Sequence, residues 1–129
     1  MKTLIIDDSS AMRRIISRTM KSIGFEIVEA GDGRAGLELL AEHNQDIEVI
    51  LVDWNMPVMN GLQFVERVRA NEATKHHKLV MVTTETESVR MARALLAGVD
   101  EFMMKPFTHD ILVEKLQLIG VQSPMQEPT

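Results

Sequence analysis

Five short apolar runs, set apart by stretches of helical pattern, constrain this chain more than any other feature. They are Leu4-Ile5-Ile6, Ile27-Val28, Val49-Ile50-Leu51-Val52, Leu79-Val80-Met81-Val82 and Phe102-Met103-Met104. They recur roughly every 20 to 30 residues, the spacing of βα units. Within each run apolar and polar residues do not alternate. Strands of that kind are buried on both faces, as in a parallel sheet covered by helices on each side. The segments between them carry start and stop signals for helices. Ser9 or Ser10 caps the first, with Met12, Ile15, Ile16, Thr19 and Ile23 following and Gly24 as its stop. Asp32 caps a second, with Leu37 and Leu40, and Asn60 or Gly61 opens a third, with Leu62, Val65 and Val68. Thr86 or Ser88 opens a fourth with Val89, Ala92, Leu95 and Leu96, closed by Gly98. Thr108 opens a fifth with Ile111, Leu112, Lys115, Leu116 and Ile119, closed by Gly120. The expectation is an α/β fold of five βα units.

At 129 residues the chain has the size of one domain and can bury a core without staples. The expected division is a folded domain over 1–120 and a disordered tail over 121–129, where two prolines interrupt any period. No linker or second domain is expected, and the polar stretch Asn71 to Lys78 reads as a surface loop. There is no cysteine, which removes disulfides, thiolate catalysis and zinc–thiolate sites, and fits a reducing cytoplasm. No apolar run approaches the ~20 residues of a membrane helix, and Met1-Lys2 does not begin a signal peptide. The net charge of −5 argues against a broad surface for nucleic acid.

An open α/β sheet places its ligand site at the carboxyl ends of its strands. The first run ends in Asp7-Asp8, the third in Asp53-Trp54-Asn55-Met56-Pro57, the fourth in Thr83-Thr84-Glu85 and the fifth in Lys105-Pro106. Three carboxylates converging on one crevice repel one another unless a cation neutralises them. Oxygen donors without His or Cys suit Mg²⁺, which keeps waters and often bridges to phosphate. A lysine and a hydroxyl on the same rim complete a phosphoryl-binding set, and a carboxylate can itself be the nucleophile. Each piece alone has a plainer account: a solvated lysine, a capping threonine, an aspartate in a turn. The set, one member per strand end, does not.

The chain resembles response-regulator receiver domains over about residues 3 to 119, and among them the single-domain chemotaxis type. The matching segments are Leu4-Ile5-Ile6-Asp7-Asp8, Met12-Arg13-Arg14-Ile15, Val52-Asp53-Trp54-Asn55-Met56-Pro57, Met59-Asn60-Gly61, Val82-Thr83 and Lys105-Pro106-Phe107. The resemblance implies a five-stranded parallel sheet in order 2-1-3-4-5 with helices on both faces. It implies Asp53 as the phosphoryl acceptor, and Mg²⁺ held by Asp8, Asp53 and the backbone carbonyl of Asn55, with Asp7 acting through water. Lys105 would pair with Asp53 and then with the phosphoryl oxygens, and Thr83 would donate its hydroxyl to them. Asn55 and Glu85 would tune autodephosphorylation by orienting water, giving a short-lived phosphorylated state. A cis Lys105–Pro106 bond is implied as well.

In this family an aromatic on the fifth strand turns inward on phosphorylation. Its counterpart is Phe102, where the chemotaxis type usually has tyrosine, so an outward hydroxyl contact is lost; a plain core or edge aromatic is the other account. The implied output face is the fourth helix, fifth strand and fifth helix, with Arg90, Arg93, Ala97, Val99 and Lys115 as candidates beside Phe102. The ten methionines fit an adaptable interface or, more plainly, core filling. The resemblance implies a monomeric phospho-acceptor switch, not an enzyme on an external substrate, although it catalyses its own phosphorylation and dephosphorylation. The implied donor is a histidine kinase. The implied target is a protein such as a flagellar motor switch protein, or a phosphotransfer protein if the chain is a relay shuttle between kinases.

Other readings compete. Gly31-Asp32-Gly33-Arg34-Ala35-Gly36 spells a dinucleotide fingerprint, but in the second unit, and it leaves Asp7, Asp8, Thr83 and Lys105 without a role. A phosphatase of the haloacid dehalogenase type needs an acid two residues after its nucleophile, where this chain has Asn55. A binding-only pseudo-receiver should lack the acceptor or metal ligands, all of which this chain has. His43, His76, His77 and His109 lack metal-ligand spacing and read as surface residues.

Overall fold

The computed structural model describes residues 1–84 and 87–122. The elements are β1 (Lys2–Ile6), α1 (Ser10–Ser22), β2 (Glu26–Ala30), α2 (Gly33–Glu42), β3 (Ile47–Val52), α3 (Gly61–Ala70), β4 (Lys78–Thr83), α4 (Ser88–Ala97), β5 (Glu101–Met104) and α5 (His109–Leu118). The strands are all parallel, in order β2-β1-β3-β4-β5. This is the expected fold, and the absence of alternation has the expected cause. Leu4, Ile6, Ile50, Val52, Leu79 and Met81 point into one core with Leu40 of α2, Phe64, Val65 and Val68 of α3, and Ala94 of α4. Ile5, Val49, Leu51, Val80 and Val82 point into the other, with Ile16 and Met20 of α1 and Leu112 and Leu116 of α5. β2 is the exception, an edge strand with Ile27 and Val28 only half-buried and Glu26 and Glu29 exposed.

Four helices start at side-chain caps. Ser9 Oγ accepts from Met12 N at 3.2 Å, Asp32 Oδ1 from Ala35 N at 2.8 Å and Thr108 Oγ1 from Ile111 N at 3.2 Å. At α3, Asn60 and Gln63 cap each other's backbone N–H groups reciprocally, at 2.9 and 3.0 Å. α4 is the exception: Glu87 precedes it without a side-chain cap bond, Ser88 is already helical, and Thr86 lies outside the described residues. The stops at Gly24, Gly98 and Gly120 all have positive φ.

Several expectations are corrected. Val89, Leu95 and Leu96 of α4 are exposed, Leu96 at 88%, while Ala94 is buried and Met91 and Ala97 pack beside it. The helix is turned so that its small residue, Ala94, faces the core it shares with α3 and leaves the larger side chains outside. The stretch from Asn71 to Lys78 is not simply a surface loop. Thr74 donates to Val68 O at 2.8 Å, His77 is only 2% exposed, and Lys78 already begins β4. His77 is therefore not a surface histidine. Val121, placed in the tail by composition, packs into the α1/α5 core and donates its N–H to Leu116 O. The rest of the expected tail from 123 onward lies outside the described residues.

The glycine-rich segment serves packing. A Cβ on Gly36 would press on Ile6 and Phe64, and one on Gly33 would press on Met59. Gly36 lets α2 lie close to β1 and α3, Gly33 lets it meet the loop before α3, and Asp32 is occupied as a helix cap.

Candidate functional site

The carboxyl ends of β1, β3, β4 and β5 gather the expected residues. Asp7 directly follows β1 and is 1% exposed; Ser9 N donates to its Oδ1 at 2.9 Å, and Arg13 donates to its carbonyl at 2.6 Å. Asp8 beside it is exposed. Asp53 directly follows β3, and its Oδ1 accepts from Trp54 N at 2.8 Å. Its backbone is crowded from the other side: Gly61 N donates to Trp54 O at 2.8 Å, and any Cβ on Gly61 would collide with the Asp53 carbonyl. Glycine is thus required at the start of α3 to bring the loop from Asn55 to Asn60 over the acceptor end of β3.

Lys105 reaches in from the end of β5. Its Nζ lies 2.7 Å from Asp7 Oδ2 and 3.4 Å from Asp53 Oδ2. The Lys105–Pro106 bond is cis, as the resemblance implied, and Lys105 N donates to Thr83 O at 3.0 Å. Thr83, the last residue of β4, is fully buried.

One carboxylate oxygen each from Asp7, Asp8 and Asp53 lies within 4.8 Å of the others. Burial pushes the Asp53 carboxyl above its usual value, Lys105 pulls it back, and Asp7 pushes it up again. One ammonium thus faces three carboxylates. That residual negative charge, presented by hard oxygen donors, fits a divalent cation of the Mg²⁺ or Ca²⁺ kind.

The other expected residues are placed unevenly. Asn55 is exposed and lines the same end of the sheet beside Trp54. Glu85 lies outside the described residues. Phe102 is 9% exposed, opposite Met81 in the β4–β5 register, and belongs to the α2/α3/α4 core, so its ring is already inward. Val99 is buried at the foot of β5, and Lys115 of α5 pairs with Glu101 of β5 at 3.4 Å. Arg90 and Arg93 are residues of α4. They line a cavity shared with Asp8, Trp54 and Asn55, and Arg93 and Ala97 border the crevice between α3 and α4 with Leu62. Helical position named them as α4 residues but not the flank they occupy, because that flank is set by the burial of Ala94 in the core shared with α3.

A feature that residue reading missed is the loop backbone before α3. Val58 has φ +69° and 79% exposure, with Met59 N donating to Pro57 O at 2.7 Å. That is a tight γ-turn, costly for a β-branched residue. The only signal available was Pro57 followed by a short segment that must turn back to Asn60.

A fold and a site of this kind define a receiver, and comparison with known proteins agrees. The response regulator receiver domain family model matches residues 3–117. This chain belongs to that family. It is 45% identical over 120 residues to the chemotaxis protein CheY1 of Helicobacter pylori strain J99, covering 92% of this chain and 96% of that one. With CheY of Pseudomonas aeruginosa it shares 42% over 120 residues, covering 92% and 95%. Among solved structures, CheY4 of Vibrio cholerae superimposes with a TM-score of 0.84 at 35% identity, covering 92% of this chain and 97% of that one. Within the receiver family, therefore, this chain is of the CheY-like type.

Proposed function

We propose that this protein is a chemotaxis-type response regulator, an aspartyl-phosphate switch loaded by a histidine kinase. The observation that carries the reading is Asp53, buried, its carboxyl pushed upward from its ordinary value by burial, and met by Lys105 beside two further carboxylates. Its Oδ1 is fixed by Trp54 N, which leaves Oδ2 on the side of Lys105 as the attacking atom. Asp53 attacks phosphorus, the bond to the donor's imidazole nitrogen breaks, and the phosphoryl group passes to the carboxylate. Transfer of this kind asks for positioning and charge neutralisation, and for little covalent chemistry. Asp7, Asp8, Asp53 and the Asn55 carbonyl would hold Mg²⁺, which when bound neutralises phosphoryl and carboxylate oxygens together. Lys105 supplies the protein's own cation, and Thr83 a hydroxyl at the neighbouring strand end. Asn55 and Glu85 orient the water that ends the signal. Asn55 cannot protonate a leaving alcohol, which argues against hydrolysis of external phosphate esters.

The signal leaves through protein contact. Exposed Val89, Leu95 and Leu96 on α4 support a docking role for that helix, with Lys115 of α5 as the charged candidate and Val99 and Phe102 buried behind it. A flagellar motor switch protein is the proposed target, in the cytoplasm; among the described residues no helix is long and apolar enough to cross a membrane. Trp54, the single tryptophan, stands next to Asp53 and reports on it. Adding Mg²⁺ and then acetyl phosphate should change its fluorescence and add one phosphoryl mass, and Asp53→Asn should lose both phosphoryl effects. Absence of phosphoryl uptake from acetyl phosphate and from a histidine-phosphorylated donor alike would reject the reading.

A further inference from the structure

The turn that leads from β1 into α1 carries two of the three clustered carboxylates. Asp7 N donates to Ala30 O of β2 at 3.2 Å, and Ser9 N donates to Asp7 Oδ1 at 2.9 Å. Asp8 between them is exposed, and among the described residues its side chain has no hydrogen-bond or ion-pair partner. Its carboxylate therefore sits where the backbone of the turn puts it.

One side chain grips that backbone. Arg13, six residues after Asp7, donates from Nη1 to the Asp7 carbonyl at 2.6 Å, and its own N–H donates to Ser9 O at 2.9 Å. The Asp7 carbonyl belongs to the planar peptide unit that joins Asp7 to Asp8, so a bond to that oxygen orients the plane from which Asp8 leaves. The Arg13 side chain is only 22% exposed. An arginine sunk this far needs partners for its charge. Glu29 of β2 is a weak one: its Oε1 lies 3.6 Å from Arg13 Nε, and its side chain is 45% exposed. The short charge-assisted bond to the carbonyl is the stronger contact. Glu29 and the neighbouring Gly31 wall the guanidinium in against the turn.

Two roles are open to an arginine placed in this way, and they have opposite signs. As a plain positive charge near three carboxylates it would compete with a divalent cation, and its loss would tighten cation binding. As a clamp on the turn it would keep the Asp7–Asp8 pair in one geometry, and its loss would weaken binding. The contacts favour the clamp, because the 2.6 Å bond goes to the backbone, and among the described residues no ion pair joins Arg13 to Asp7, Asp8 or Asp53. We infer that Arg13 is a positioning residue for the cation site, acting through the Asp7 carbonyl to hold the Asp7–Asp8 turn in the arrangement a small octahedral cation demands. Mg²⁺ needs near-ideal octahedral geometry, whereas the larger Ca²⁺ accepts irregular oxygen cages. The clamp therefore favours Mg²⁺ over Ca²⁺. This inference rests on the reading that Asp7, Asp8 and Asp53 hold a divalent cation.

The test titrates the full chain with MgCl₂ and, separately, with CaCl₂, in the native protein, in R13M and in R13K. Binding is read from Trp54 fluorescence and, independently, from the rise of melting temperature with cation concentration. The ratio of Mg²⁺ to Ca²⁺ affinity decides, because partial loss of folding lowers binding of both cations alike. In R13M the Mg²⁺ affinity should fall about tenfold, as for loss of a hydrogen bond that orients a metal ligand, and the Ca²⁺ affinity should fall less. R13K keeps the charge and one donor but not the planar fork, so its ratio should lie between those of the native protein and R13M. It also carries the comparison if R13M does not fold. A ratio unchanged in both variants refutes the clamp. Tighter binding of both cations in R13M refutes it as well, and assigns Arg13 the role of a competing charge. If the native protein binds neither cation, the cation site of the proposed function fails and the clamp falls with it, while phosphoryl loading of Asp53 is judged separately by intact mass.

Discussion

The two ends of the sheet handle charge in opposite ways. At the amino ends of β4 and β5, Arg69 of α3 is fully engaged. It donates from Nε and Nη2 to Gly98 O at 3.0 and 2.7 Å, from Nη1 to Lys75 O and His77 O at 2.7 and 2.6 Å, and it pairs with Asp100 at 3.0 Å. Asp100 in turn accepts from Leu79 N at 2.8 Å. His77 Nε2 lies 2.6 Å from Asn44 Oδ1, and Asn44 donates to Ala73 O. At the carboxyl ends a single Lys105 stands among three carboxylates, and the neighbouring loop holds Val58 in a strained turn. The first end is stapled, with only His77 Nδ1 left without a hydrogen-bond partner, and the second is unbalanced and strained. The contrast separates polar residues kept for folding from those kept for chemistry: the former have their partners inside the chain, the latter await them from outside.

The largest way to break the stapled end is Arg69→Ala. It strands three carbonyls and Asp100, and should cost about 3–5 kcal/mol, read as a drop in urea midpoint. Phosphoryl uptake by the variant that remains folded should persist, since Arg69 lies at the far end of the sheet. Acid acts next. Burial, helped by His76 and Arg69, pushes His77 down to about 4 from 6.5. The unfolded chain therefore binds this proton more readily than the folded one. Stability attached to His77 is complete above about pH 6.5 and is lost as pH falls from there toward 4, by up to about 3 kcal/mol. A His77→Gln variant should flatten that part of the stability–pH curve; an unchanged slope would place the acid sensitivity elsewhere.

The same contrast explains what could be read from the sequence. Residues held ready for an outside partner leave a residue-type signature, so Asp7, Asp8, Asp53 and Lys105 were visible as a set at the run ends, though each alone had a plainer account. The strand order came from resemblance, because apolar runs alone do not say which strands are neighbours. Partners supplied from inside leave no such signature. Arg69 makes most of its bonds to backbone carbonyls, which no sequence pattern encodes, and His77 is buried by a loop that composition presents as polar. The flank of α4 was hidden for a related reason. Val89, Leu95 and Leu96 outweigh Ala94 in hydropathy, yet packing against α3 buries the small residue.

At the unbalanced end, removing charge should stabilise. Asp53→Asn takes one carboxylate out of the cluster and should raise stability by about 1–2 kcal/mol without divalent cations. The sign with pH is opposite to that of His77. Because the folded Asp53 carboxyl lies above its unfolded value of 3.8, its contribution is most favourable below that pH and is lost as pH rises through the folded value. Added Mg²⁺ should narrow the gap between native and variant, since the native cluster gains more from the cation. Thermal melts of both proteins with Mg²⁺ or EDTA would measure this, and an equal shift in both would detach Asp53 from the cation.

The smallest expected effect concerns Val58. Its φ of +69° is paid by a β-branched side chain that is 79% exposed and contributes little burial in return. Glycine reaches that conformation without steric cost, but it also loosens the unfolded chain. The strain relieved is of order 1–3 kcal/mol and the entropy lost is somewhat below 1 kcal/mol, so Val58→Gly should stabilise by about 1 kcal/mol. The sharper question is what the strain does. The turn sits between Asn55, which borders the acceptor, and Asn60 with Gly61, which fix the loop to α3. If the turn serves only to close the loop, the glycine variant will be more stable and will load phosphoryl groups at the native rate. If it holds Asn55 in position, the same variant will be more stable yet dephosphorylate at a changed rate, which would tie the backbone strain of this end to its chemistry.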